Sequence, residues 1–161
     1  MTSVFLPSQH DHDHCQEHIL GKADVICEQK KVRLTSQRRE VLAILSGSHR
    51  CLGAYDILER MSGQMGRRPA PMAVYRSLEF LITMGFVHRI GIRNAYVACT
   101  RPGHGRRAQF WICRDCGSVA ETESMAIASV IPQVARDIGF DLETVNLELE
   151  GVCPDCQGGN R

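Results

Sequence analysis

Two C-x2-C pairs, Cys113-Arg-Asp-Cys116 and Cys153-Pro-Asp-Cys156, stand with 36 residues between them. Two thiolates three positions apart on a tight turn can hold adjacent corners of a tetrahedron. A second pair supplies the other two corners, and Zn²⁺ favours a closed four-thiolate shell of this kind. Gly117 follows the first pair and Pro154 sits inside the second, so both have turn chemistry. A single pair would also suit a thiol redox protein whose C-x2-C cycles as a disulfide. Two pairs at this spacing predict a structural zinc site at Cys113, Cys116, Cys153 and Cys156, with a small domain inside the loop that they close.

The chain has 161 residues, 43% of them hydrophobic, enough for one ordinary domain or two small ones. A piece of 60–90 residues needs a staple, roughly what a structural metal provides. Eight cysteines without a basic, apolar leader point to the cytoplasm and to metal rather than to a secreted disulfide scaffold. No run approaches the ~18 apolar residues of a membrane span. Charge is unevenly placed. Residues 1–18 carry three acids and no Lys or Arg; residues 19–100 carry 13 basic and 6 acidic residues; residues 101–161 carry 6 and 9. A basic middle between acidic ends suggests a nucleic-acid-binding half joined to a half with another task.

Residues 1–17 hold His10, His12, His14 and Cys15 among polar residues and read as a disordered tail; whether its His-x-His-x-His-Cys tract binds metal stays open. Apolar periodicity predicts helices over about 18–31 (Ile19, Ala23, Ile26, Cys27), to Ser46 from Leu34 (Val41, Leu42, Ile44, Leu45), over 53–62 (Ala54, Ile57, Leu58, Met61) and over 71–84 (Val74, Leu78, Leu81, Ile82). Thr35 or Ser36 can cap the second, and Gly85 stops the fourth. The opposite face of the fourth shows Met72, Ala73, Arg76, Glu79, Phe80 and Thr83, with Tyr75 at its margin. Runs at 86–92 and 95–99 read as a hairpin. Three helices, the last with an exposed arginine, then a hairpin, is the order of a winged helix-turn-helix. Residues 100–107 are hinge-like. Beyond them, strands at 109–113 and 118–123, a helix over about 124–138 with an awkward Pro132, and a strand over 142–150 form an α/β unit. Val145, Leu147 and Leu149 there alternate with Asn146, Glu148 and Glu150, a half-buried strand. The expected fold class is α+β: a winged helix over 18–99, a hinge over 100–107, an α/β domain over 108–157 and a tail over 158–161.

His88 and Cys99 on the hairpin, His104 in the hinge and Glu121 beyond the first C-x2-C lie where the two halves meet. Spacing alone does not select this set. Four segments together resemble the ferric uptake regulator family of bacterial metal-responsive repressors: Leu34-Thr35-x-Gln37-Arg38, Ala73-Val74-Tyr75-Arg76-x-Leu78, Gly85-Phe86-Val87-His88 and Cys113-x-x-Cys116-Gly117. The likeness runs over about residues 19–157. It implies a winged-helix DNA-binding domain, an α/β dimerisation domain, a homodimer on double-stranded operator DNA, and no small-molecule substrate or catalytic residue. The family's zinc-sensing branch is the more similar one. Iron and peroxide sensors carry a His-rich run before the first C-x2-C, and residues 106–112 here contain no histidine. His88, Cys99, His104 and Glu121 fill the positions of that branch's regulatory ligands, though the hinge between His104 and Cys113 is slightly longer than the pattern. The resemblance thus implies two zinc ions per chain and a zinc-responsive repressor of zinc uptake genes. An iron-, manganese- or peroxide-responsive member is the alternative. Expected DNA contacts are Tyr75 and Arg76 to bases, and Arg67, Arg68, Arg38 and Tyr55 to phosphates.

Overall fold

The computed structural model describes Phe5 and residues 12–65, 69–102 and 108–158. Four helices open the chain: α1 (His12–Gln29), α2 (Ser36–Ser46), α3 (Ala54–Met65) and α4 (Pro71–Thr83). A hairpin follows, β1 (Val87–Ile90) and β2 (Ala95–Ala98), joined by a 3₁₀ turn at Gly91–Arg93. Then come β3 (Gln109–Cys113), β4 (Val119–Thr122), α5 (Met125–Asp137), β5 (Leu147–Gly151) and a one-turn α6 (Pro154–Gln157). The result is a winged helix-turn-helix followed by a small α/β domain.

The first helix begins at His12, so residues 12–17 are not the disordered stretch expected of them. Asp13 in the first turn suits the helix dipole. The Gln16 side-chain amide donates to the Ala43 carbonyl at 2.6 Å, tying this extension to the end of α2. Thr35 is the cap of α2; its Oγ1 accepts from the Arg38 backbone N–H. In α4 the buried stripe is Val74, Ser77, Leu78 and Leu81. Ile82, expected inside, is exposed, and Ser77 is buried instead, returning its hydroxyl to the Ala73 carbonyl at 2.9 Å. Phe80, expected outside, is partly buried against the core.

Gly85 ends α4 at φ +74°. Its N–H donates to Ile82 and the Phe86 N–H to Leu81, a closed C-terminal cap that delivers Phe86 fully buried into the core. Gly85→Ala would force a side chain into the left-handed region at a cost of about 1–2 kcal/mol. Thermal unfolding of that variant is expected to show a lower midpoint, with no change in metal content.

The hairpin has two working faces. Val87 and Ala98 are paired and join the helical core, while His88 pairs with Val97 and Ile90 with Ala95 on the other side. That second face packs on a three-stranded sheet of order β4-β3-β5, antiparallel between β3 and β4 and parallel between β3 and β5. Ile90 and Val97 meet Phe110, Ile112 and Val119 there in a second, small core. Residues 49–52 add a bridge between the halves: Leu52 and Tyr96 exchange backbone hydrogen bonds, and Cys51 N–H reaches the Gly117 carbonyl at 3.1 Å. β5 starts only at Leu147, five residues later than the expected strand, because its partner β3 is five residues long and pairs Gln109 with Leu147 through Cys113 with Gly151. The helix α5 runs unbroken through Pro132, capped by Ser124. Only Ala135 of α5 is buried; Val130 and Val134 are about half exposed, and Met125, Ile138 and Phe140 more so.

Candidate metal centres

The register of β3 and β5 brings the two C-x2-C pairs together. Cys113 ends β3, and Cys153 follows two residues after β5. The four sulfurs of Cys113, Cys116, Cys153 and Cys156 all lie within 4.8 Å of one another, with Cys116 and Cys153 at 3.7 Å. Gly117 takes φ +73°, the turn that folds Cys116 back. The Cys153 N–H donates to the Cys113 sulfur at 3.3 Å. Burial alone would push the Cys113 thiol up, but the N–H groups of Cys153, Cys116 and Asp115 outweigh it and draw it down to about 6. Cys153 is pushed up by burial, and Cys156 is pushed up to about 12, first by its hydrogen bond with Cys153. Cys113 is thus the most readily ionised of these shifted thiols, and a soft cation displaces the protons of Cys153 and Cys156. Four sulfurs in this arrangement fit zinc.

A second cluster gathers His88, Cys99 and Glu121, whose ligand atoms also lie within 4.8 Å of one another. Strand alternation explains the meeting. His88 and Cys99 share the hairpin face that carries Ile90 and Val97. Glu121 shares the facing side of the sheet with Phe110, its cross-strand partner. His88 Nε2 stands 3.7 Å from Glu121 Oε1, and the Cys99 sulfur 3.8 Å from both carboxylate oxygens. Thr100 holds that carboxylate in place through its N–H at 3.2 Å and its hydroxyl at 3.1 Å. The Phe110 ring lies 4.8 Å from the His88 ring and fixes it.

The electrostatics here are unresolved within the protein. Burial lowers the His88 pKa against the opposing pull of Glu121. Burial, and then the Glu121 charge, push the Cys99 thiol up to about 12. His88 Nε2 is buried with no hydrogen-bond partner among the described residues. An orphaned buried nitrogen costs about 1–3 kcal/mol. A nitrogen, a sulfur and a carboxylate oxygen converging on one point relieve that cost by holding a borderline-soft cation, and zinc fits the set. His104 lies outside the described residues.

The expected DNA-facing residues divide. Tyr75 and Arg76 are exposed on α4, and Tyr55 projects at 72% exposure from α3. Tyr55, Tyr75, Tyr96 and Asn94 line one cleft between α3, α4 and the hairpin turn. Arg38 stacks its guanidinium 3.6 Å over Phe80 and gives Nη1 to the Arg33 carbonyl at 2.7 Å. Arg67 and Arg68 lie outside the described residues. Sequence reasoning missed Glu148 and Glu150, read only as the polar side of a strand; both face the hairpin turn.

This winged helix, with two metal-ligand clusters, defines a metal-responsive DNA-binding class. The chain belongs to the ferric uptake regulator family, whose sequence pattern matches residues 29–150. Within that family it is similar to the zinc uptake regulation protein of Escherichia coli (strain K12), 35% identical over 143 residues that span 87% of this chain and 82% of that protein. A solved zinc uptake regulator complexed with zinc and DNA is 33% identical and superposes with a TM-score of 0.82, covering 89% of this chain and 96% of that one. The holo form of XcZur, 31% identical, gives 0.77 over 88% and 99%; its apo form, 30% identical, gives 0.53 over 89% and 99%.

Proposed function

We propose that this chain is a zinc-responsive transcriptional repressor that binds operator DNA as a homodimer and controls zinc uptake genes. The observation that carries the reading is that one ligand cluster draws on both halves: His88 and Cys99 from the wing, Glu121 from the α/β sheet. When bound, zinc would supply the positive charge that holds a thiolate, an imidazole and a carboxylate together. His88, Cys99 and Glu121 would hold it, with His104 as a fourth ligand; the four cysteines would hold a second, structural ion. The protein's part is to join the wing to the sheet through these side chains and so to limit the angle between the halves. In a two-fold dimer that angle sets the separation of two α4 helices, which must match half-sites ~34–36 Å apart.

The fold comparison supports this. At nearly equal identity, the chain superposes better on the holo than on the apo form of XcZur, which favours a metal-bound arrangement for this chain. The bare apolar face of α5 supports a second copy packing there. On α4, Arg76 and Tyr75 are assigned to bases, and Tyr55, Arg67 and Arg68 to phosphates. Arg38 keeps guanidinium donors beyond the one given to Arg33 and serves phosphate less directly. No described helix is long and apolar enough to cross a membrane; the assigned place is the cytoplasm, with the DNA. A thiolate in the sensing set favours zinc over iron or manganese.

The test is operator binding against buffered free Zn²⁺, Fe²⁺, Mn²⁺ and Ni²⁺. Zinc is expected to raise affinity at the lowest free concentration; an iron- or manganese-first response would displace the reading. A pH dependence follows. Cys99 is protonated far above neutrality and must give up a proton to ligate, whereas His88, with its pKa lowered, is already neutral at pH 7. Zinc affinity of this site should therefore fall as pH falls, about tenfold per unit for one proton released. Zinc competition titrations between about pH 6.5 and 8, where imidazole is largely neutral, measure that slope.

A further inference from the structure

The hairpin turn touches the α/β sheet through residues that belong to neither metal cluster. Glu148 on β5 accepts two backbone hydrogen bonds, from Gly91 N–H to Oε1 at 2.7 Å and from Ile92 N–H to Oε2 at 2.9 Å. These are the first amides of the 3₁₀ turn, which lack partners within it. Two residues along the same strand face, Glu150 pairs with Arg93 Nε at 2.9 Å. All three residues of the turn are thus held by two carboxylates of β5. A Cβ at position 91 would meet Glu148 Oε1 at 3.5 Å, an ordinary van der Waals contact, so the carboxylate lies close against the turn without depending on the glycine.

The sheet register connects this contact with the sensing cluster. Phe110 pairs with Glu121 on one side and with Glu148 on the other. The two carboxylates therefore share one face of the sheet, two strand spacings or ~10 Å apart. Glu121 meets the base of the hairpin, and Glu148 meets its tip. The tip contact needs no ion. Both of its hydrogen bonds go to a charged acceptor, the stronger kind, whereas the half-exposed Arg93–Glu150 pair adds little alone.

We propose that Glu148, assisted by Glu150, is a positioning residue that latches the wing to the sheet without metal, so that His88 and Cys99 stand opposite Glu121 before zinc arrives. This rests on the zinc-sensing reading for its consequence, but the latch itself does not. A site whose competent arrangement is only fractionally populated binds more weakly by that fraction. The latch raises the fraction and so sets how much free zinc the site needs.

The experiment uses the full chain, with the four-cysteine zinc retained and the sensing site stripped, comparing wild type with Glu148→Ala and Glu148→Gln. Amide hydrogen exchange at Gly91 and Ile92 reads the latch directly. Zinc affinity without DNA, by competition with a chelating dye, reads its consequence. In Glu148→Ala the two amides are expected to exchange about tenfold faster or more and zinc affinity to fall about threefold to tenfold, while circular dichroism and retained zinc stay as in wild type. Glu148→Gln keeps an acceptor and should recover part of both. Unchanged exchange in Glu148→Ala overturns the latch. Faster exchange with unchanged zinc affinity overturns its role in sensing. Equal loss of zinc affinity in both variants, with Gln amides still protected, assigns the effect to charge and also overturns it. If wild type took up no ion at the stripped site, the sensing reading would fall, and amide exchange alone would decide the latch.

Discussion

Cys113→Ser is expected to empty the four-cysteine cluster and unfold the C-terminal half. Cys113 closes β3, accepts the Cys153 N–H, and sits with no exposure beside its three partner sulfurs. The core that would remain is slight: Ile90, Val97, Phe110, Ile112 and Val119, two of them borrowed from the hairpin. A core of that size does not stabilise a domain of about 50 residues unaided. Structural zinc contributes ~10–16 kcal/mol in small finger peptides, far above the stability of a small domain. Far-ultraviolet circular dichroism, sizing and metal content check this. Loss of sheet signal, loss of the dimer and at least one zinc fewer per chain are expected. A folded dimer without that zinc would show that packing alone holds the sheet.

Cys99→Ser should have an effect as large on function and almost none on fold. The Cys99 sulfur is buried and lies 3.8 Å from both Glu121 carboxylate oxygens, so a hydroxyl of similar size leaves the hairpin intact. It removes the one soft donor of the sensing set. Affinity for operator DNA at saturating zinc should fall by about 5–150-fold, the span of ordinary allosteric coupling. Thermal stability and the four-cysteine zinc should stay as in wild type. Disruption equal to that of Cys113→Ser would mean the two clusters do not divide the work.

How far these sites could be read in the sequence depended on the range of the interaction. The four-cysteine site was legible because each half of it is local: two thiols and a turn within four residues. His88, Cys99 and Glu121 are joined by strand alternation on two different sheets packed face to face. No local spacing encodes that, and only the family resemblance singled them out. Helix positions followed periodicity where the core decides, as at Leu42, Leu45, Leu78 and Leu81. They failed at edges: α1 extends back to His12 with Gln16 bonded to Ala43, and Ser77 rather than Ile82 is buried on α4. The exposure of Val130, Val134 and Ile138 on α5 was not legible, because periodicity does not distinguish a core from an interface. Glu148 and Glu150 fit the pattern of a solvated strand face equally well; only the placement of the hairpin turn against β5 turns them into partners.

The most direct measurement is a graded chelation of the fully zinc-loaded protein, following metal content and operator affinity on the same samples. Removal of the first zinc per chain is expected to abolish tight operator binding, while circular dichroism and the dimer persist and the second zinc stays bound. Tight DNA binding that survived loss of the first zinc, or that disappeared only when the fold did, would contradict a sensing site at His88, Cys99 and Glu121.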